Sequence, residues 1–311
     1  MSDYIDGPTL DGSNLGAGIM VGVVTATVFG LGGFFLIRDV SGSMGGVLFL
    51  LLPAITGFAT AIVAKGRNIL LASLILGVLF CSAILLAVGA EGWVCVLMSS
   101  PLIAAGLAIG ALLGWVFQKS VISKSGHSGT LTLLGLLVLP GLLMGANSAE
   151  KESRRTLRTQ TVTDVLTLNA SPESVWNELK SMDRIDASRP FLMKIGLPVP
   201  VSCKTEGEGV GGKRTCYFEH GYIEERITEW NFPNSMKFEI TASEVPGRPW
   251  LNFKDAGYEI KRENGQTTIT RSTTIVSRLS PVWYWKRLEA LGVHTEHKYL
   301  FEGLARKLTA K

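Results

Sequence analysis

The chain has 311 residues, with 30 Lys or Arg against 26 Asp or Glu and a formal net charge of +4. That length accommodates two units of ordinary domain size, and so small a positive excess argues against a nucleic-acid partner while suiting an anionic lipid surface. Four cysteines without framework spacing exclude a disulfide-built scaffold.

The averages conceal a division. Residues 1–150 hold five basic residues (Arg38, Lys65, Arg67, Lys119, Lys124) and six acids, whereas the remaining 161 residues hold 25 basic and 20 acidic groups. A half so poor in charge could not be solvated as a globule. Residues 1–15, MSDYIDGPTLDGSNL, carry three Asp and no Lys or Arg, the reverse of the basic start of a secretory signal, and read as a polar tail.

From 16 to 147 the expectation is an all-α transmembrane bundle. Five apolar runs stand out, at about 16–37, 46–64, 69–89, 93–117 and 130–146. A span needs roughly 20 apolar residues, and the first four runs meet that need. Trp93 and Trp115 lie about 33 Å apart on a helix, as interfacial anchors would. The fifth run, TLTLLGLLVLPGLLMGA, is marginal at about 25 Å and interrupted by Pro140-Gly141. Five full spans split the basic loops evenly. A re-entrant fifth run puts eight of the nine basic residues on one side, so four spans and a broken fifth are expected, with the soluble domain cytoplasmic in a plasma or inner membrane. Cys81 and Cys95 fall in these runs as small hydrophobes.

No Asp, Glu, Lys, Arg or His lies inside the five runs, which lowers the weight of a transport function. Glycines four apart (Gly18/Gly22, Gly106/Gly110/Gly114, Gly141/Gly145) permit close helix approach. They serve either packing within the bundle or a homo-oligomer interface. This half reads as an anchor in a lipid bilayer.

A charged linker, 148–160, carries Arg154, Arg155 and Arg158, either at lipid headgroups or as a solvated flank. A soluble domain is expected over 161–311. TVTDVLTLN alternates as a half-buried strand. Ser171-Pro172-Glu173 is a helix start, with Val175, Trp176 and Leu179 as its apolar face. Six strands are expected at about 201–206, 213–220, 222–230, 235–241, 250–261 and 266–277, broken at GEGVGG, NFPN, VPGRP and ENGQ. A long helix closes the chain from Ser280-Pro281 to about Leu308, with His297, Phe301, Leu304 and Leu308 on one face. An antiparallel sheet of that size needs one face covered, and this helix is the element long enough to do so.

That order, with VTDVLTLNASPESVWNEL at its start, resembles the START-like, or SRPBCC, superfamily. EGEGVGGKRTCYFEHGYIEERITEWNFPNSMKFEI is similar to the middle of its polyketide cyclase/dehydrase group. SPVWYWKRLEALGVHTEHKYLFEGL resembles members fused to membrane segments. The resemblance covers about 160–308 and implies an α+β helix-grip fold, a curved antiparallel sheet gripping a long helix with a ligand cavity between them. It implies no single activity, since the superfamily includes lipid carriers, hormone receptors and cyclases.

Several motifs compete with plainer readings. Gly207, Gly209 and Gly212 satisfy G-x-G-x-x-G, but a strand follows where a nucleotide site needs a helix, so a hairpin turn is expected. Cys203 and Cys216 flank that turn symmetrically and should face each other; two packed thiols are preferred over a disulfide in a reducing cytoplasm. His294 and His297 lie three apart on the last helix, but two ligands make no metal site, and no metal or cofactor is expected. His297 instead faces the core or the cavity, where it could bond a polar ligand group.

Glu219, His220, Glu224, Glu225 and Arg226 form the densest titratable cluster, with Glu224 and Arg226 on one strand face and Glu225 on the other. The cluster is either a solvated edge or a cavity wall. Arg214 opens the preceding strand. Trp250, Trp283, Tyr284 and Trp285 suit a cavity rim or a membrane interface, though core packing also explains some of them.

The leading expectation is a membrane-anchored domain that binds a lipid or other hydrophobic molecule through Arg214, His220, Glu224, Trp250, Trp283, Tyr284, Trp285 and His297, with no covalent chemistry. An alternative is a cyclase or dehydratase acting on a polyketide-like or isoprenoid substrate, with Glu224 and His294 or His297 as acid and base. A third is a structural or signalling membrane protein whose soluble domain docks a partner.

Overall fold

The structure, a computed structural model, describes residues 12–38, 44–64, 66–122, 128–153, 157–245 and 251–309. The chain divides after Arg155 into a helical unit and an α+β unit.

The helical unit comprises α1 (Gly12–Ile37), α2 (Leu52–Val63) entered through a π-helical turn (Val47–Leu51), α3 (Arg67–Ala87), α4 (Trp93–Phe117) extended by a second such turn (Gln118–Ile122), and α5 (Ser128–Ser153). Leu15–Ile37, Arg67–Ala87, Trp93–Ile122 and Gly129–Lys151 are long and apolar enough to cross a membrane. Val47–Val63 is a shorter apolar helix.

By length and composition, the long apolar helices correspond to the first, third, fourth and fifth runs, and the second forms a shorter one. Pro140 lies inside a continuous α5 and does not break it. A proline is tolerated there when its neighbours re-satisfy the freed carbonyl.

The short α2 is the buried member, with Ile55, Ala59, Thr60, Ala61 and Ile62 almost wholly covered. Glycine makes this possible. A Cβ on Gly110 would meet the Ala54 carbonyl oxygen at 1.8 Å, one on Gly106 the Leu50 carbonyl at 2.6 Å, and one on Gly114 the Phe58 carbonyl at 2.7 Å. The α4 glycine stripe is thus a seat for α2 within one chain. Gly22 of α1 likewise faces Ser73 of α3. Gly141 and Gly145 meet nothing within 4 Å.

In the α+β unit, β1 (Arg158–Leu168) precedes α6 (Pro172–Lys180) and the single turn α7 (Phe191–Lys194). Then come β2 (Pro200–Glu206), β3 (Lys213–Phe218), β4 (Tyr222–Asn231), β5 (Ser235–Ser243), β6 (Leu251–Glu263), β7 (Gln266–Ser277) and α8 (Val282–Thr309). The strands form one antiparallel sheet in the order β1-β7-β6-β5-β4-β3-β2. The first and last strands of the chain thus meet, and β1 joins β7 over its full length. This curled seven-stranded sheet with its C-terminal helix is the helix-grip arrangement.

Local chemistry explains the elements. The Ser171 hydroxyl accepts the Ser174 N–H at 3.2 Å and caps α6, whose Val175, Trp176 and Leu179 are buried. The β2–β3 connection places Gly207, Gly209 and Gly211 at positive φ and runs directly into a strand, so GEGVGG is a hairpin loop. The core joins α6, the inner face of the sheet (Ile227, Met236, Phe238, Tyr258, Ile260, Ile269) and the α8 residues Tyr299, Leu300, Phe301 and Leu304.

Cys203 and Cys216 are register partners, as expected from the turn. They are bonded as a disulfide rather than packed as thiols, because direct opposition on one sheet face brings the two side chains together.

Candidate functional site

Alternation along β1 turns Val162, Asp164 and Leu166 to one side, so a carboxylate sits between two apolar side chains on the inner face. Register aligns Asp164 with Arg271 of β7, and Arg271 with Tyr258 of β6. One rung along, Val162 meets Thr273. The C-terminal helix lays His294, Glu296 and His297 over these rungs.

The Asp164 Oδ2 atom accepts from His297 Nδ1 and from His294 Nδ1, each at 2.7 Å. A carboxylate only accepts, so His297 carries its proton on Nδ1, and its Nε2 accepts from the Thr273 hydroxyl at 2.8 Å. His297 is fully buried. Its pKa is pushed down to about 3, first by burial and then by the Arg271 guanidinium, against the pull of Asp164. It is a neutral imidazole.

Beside it, Arg271 donates to both Glu296 oxygens, at 3.0 and 3.2 Å, and to the Tyr258 hydroxyl, with its guanidinium 5.0 Å from the Tyr258 ring centre. Burial raises the Glu296 carboxyl above the ordinary carboxylate range, with Arg271 opposing. Even so, 21% of the Glu296 side chain stays accessible, as do 17% of Asp164 and 39% of His294. The polar cluster therefore has a buried end at His297 and an open end at Glu296 and His294.

Two more pairs are buried on this side. Arg214 bonds Glu225 at 2.5 Å and lies 4.7 Å over the Phe238 ring. Arg158 bonds Glu289 at 2.5 Å, and Glu289 also accepts from the Ser277 hydroxyl. Each cation has its carboxylate, as burial requires.

Of the sequence candidates, His297 lies at the centre and His294 at the rim. Arg214 is inward but committed to Glu225. Glu224 stands on the outer face, bonded to Lys213 at 2.6 Å, so the expected pairing of Glu224 with a histidine is not the one the structure makes. The carboxylate that holds both histidines is Asp164. His220 is exposed at the β3–β4 turn. Trp285 is buried, Trp283 is exposed, and Tyr284 packs edge-on against both. Trp250 lies outside the described residues.

Sequence reasoning missed Asp164, Tyr258, Arg271, Thr273 and Glu296. The first and third had a signal: Asp164 between Val162 and Leu166, and Arg271 between Ile269 and Thr273, each occupy an inward position of an alternating strand. Among the described residues no cluster of three or more His, Cys, Asp or Glu is disposed to hold a metal ion.

No known family profile matches the chain, and no curated protein does. Among solved structures, a protein of Thermus thermophilus aligns at 16% identity over 49% of this chain and 98% of its own, with a TM-score of 0.37. The structure of Ara h 8.0201 aligns at 13% identity over 50% of this chain and 100% of its own, with a TM-score of 0.34. A protein of Nitrosospira multiformis aligns at 16% identity over 49% of this chain and 97% of its own, with a TM-score of 0.32.

Proposed function

We propose that the chain is an integral membrane protein whose α+β domain holds a small amphiphilic molecule, a lipid or similar hydrophobic compound, between its sheet and α8. The observation that carries this reading is the half-open cluster at Asp164, His294 and Glu296. These polar groups lie where the sheet and helix meet, yet retain accessible surface. Partly buried apolar side chains, among them Leu166, Leu168, Trp230 and Ile240, border the same core. A polar end beside an apolar wall matches an amphiphile.

The membrane part of the reading rests on the four long apolar helices. Their outward surfaces carry Val24, Val28, Ile75, Leu79, Ile109 and Leu137, all exposed. Water would not tolerate such faces over four helices, whereas hydrocarbon requires them. Tethering then keeps the domain at high effective concentration beside its lipid ligand.

The test uses the full chain in nanodiscs containing a photoreactive fatty acid, with labelled peptides mapped by mass spectrometry. Label on β1, β7 and α8 as well as on the apolar helices is expected. Label confined to 12–153 would refute ligand binding by the domain.

A second reading is favoured by Glu296 alone. A carboxyl whose pKa is raised by burial, beside Tyr258 and Arg271, is equipped to act as a general acid on a bound carbonyl compound. Here Glu296→Gln would abolish turnover while leaving photolabelling intact; loss of both would place Glu296 in binding instead.

A further inference from the structure

Helix α8 opens with Val282 and Trp283 at 46% and 68% exposure, and the exposed Lys286 and Arg287 follow one turn later. Spacings of three and four residues put positions 283, 286 and 287 on one face. Trp285 and Glu289 take the buried side. Leu288 is apolar and partly buried, and Glu289, the first acid along the helix, is turned inward to Arg158 and Ser277. Among the described residues, neither Lys286 nor Arg287 has an ion-pair partner. The patch is therefore aromatic, apolar and cationic, with no acid on its own face.

Its position in the unit matters equally. Arg158, the first residue of β1, is the register partner of Ser277 at the end of β7 and bonds Glu289 in α8. The strand that receives the chain and the first turns of α8 thus share one end of the sheet. Leu157, just ahead of β1, is 49% exposed. Helix α5 ends at Ser153, and β1 begins at Arg158, so only a short connection precedes this end.

We propose that this end of the domain docks on the surface of an anionic bilayer, with Trp283 at headgroup level and Lys286 and Arg287 on lipid phosphates. The inference rests on the membrane reading above. An indole is at home in the headgroup region, where its ring is apolar and its N–H reaches water or ester oxygens. Unpaired cations beside it are drawn to anionic lipid within a Debye length of the surface. A neutral protein partner would leave both cations without a counter-charge.

The experiment replaces Trp283 with p-benzoylphenylalanine in the full chain, and Leu79 of α3 or Val165 of β1 in parallel chains. Each is photolysed in phosphatidylcholine nanodiscs with and without phosphatidylglycerol. Lipid adducts are expected at 79 in both discs and at 283 several-fold more with phosphatidylglycerol, with little at 165. Lys286→Glu with Arg287→Glu should return the 283 yield to that of the neutral disc while leaving 79 unchanged. Adducts at 79 but not at 283, or crosslinks from 283 to a second copy of the chain, would overturn the docking and leave the membrane reading standing. Absence of adducts at 79 would overturn both.

Discussion

His297 shows how one residue ties the sheet to its helix. In the unfolded chain its imidazole takes up a proton near 6.5, but in the folded protein it stays neutral down to about 3. Its stability contribution is therefore complete above pH 6.5 and declines as pH falls below it, by about 1.4 kcal/mol for each pH unit until the folded pKa is approached. Glu296 acts in the opposite sense, since the folded state favours its protonated form. Asp164, His294 and Arg271 also face the imidazole. Comparison with His297→Gln isolates the histidine: wild-type thermal stability should fall more steeply than the variant's between pH 7 and pH 4, and parallel curves would disprove the assignment. The carboxylates of β4 give a second contrast. Glu225→Ala strands Arg214 in the core and should cost about 3 kcal/mol or more in denaturant unfolding. Glu224→Gln touches an exposed pair and should leave the melting temperature unchanged.

At the scale of the elements, glycine decides which helix faces meet. Gly110 brings α4 against the α2 backbone so closely that any side chain must push the helices apart. Gly110→Leu should therefore abolish a monodisperse, folded species in detergent size-exclusion chromatography. Gly145→Leu, facing open space, should leave the profile of the single chain intact. Because the α4 stripe is occupied within the chain, Gly141 and Gly145 are where self-association through small residues would be sought. The strands were legible from alternation, and α6 and α8 from their Ser-Pro starts. The fifth apolar run was misread at Pro140, because local sequence registers the lost N–H but not the neighbours that compensate for it. The second run forms a shorter helix than its composition suggests, because it is entered through a π turn.

For the whole molecule, the membrane reading predicts that the full chain stays in the pellet after alkaline carbonate extraction, while a chain beginning at Thr156 is released. The Cys203–Cys216 bond is of a kind that persists in oxidising compartments. It predicts that both cysteines resist alkylation in rapidly quenched cells until a reductant is added, and alkylation without reductant would show the pair reduced there.

What the sequence by itself determined is whatever depends on near neighbours: the partition into an apolar and a charged half, the strand alternation, the helix caps, and the hairpin that makes Cys203 and Cys216 opposite. These follow from hydrophobic periodicity and turn chemistry, which act over a few residues. What only the tertiary structure decided is which side chains meet across the sheet. Asp164 reaches His294 from 130 residues away, and Arg271 finds Tyr258 and Glu296 through strand register and helix placement together. A one-residue slip in register would turn Asp164 outward and disperse the cluster, so the candidate site exists only once the whole sheet has closed around α8.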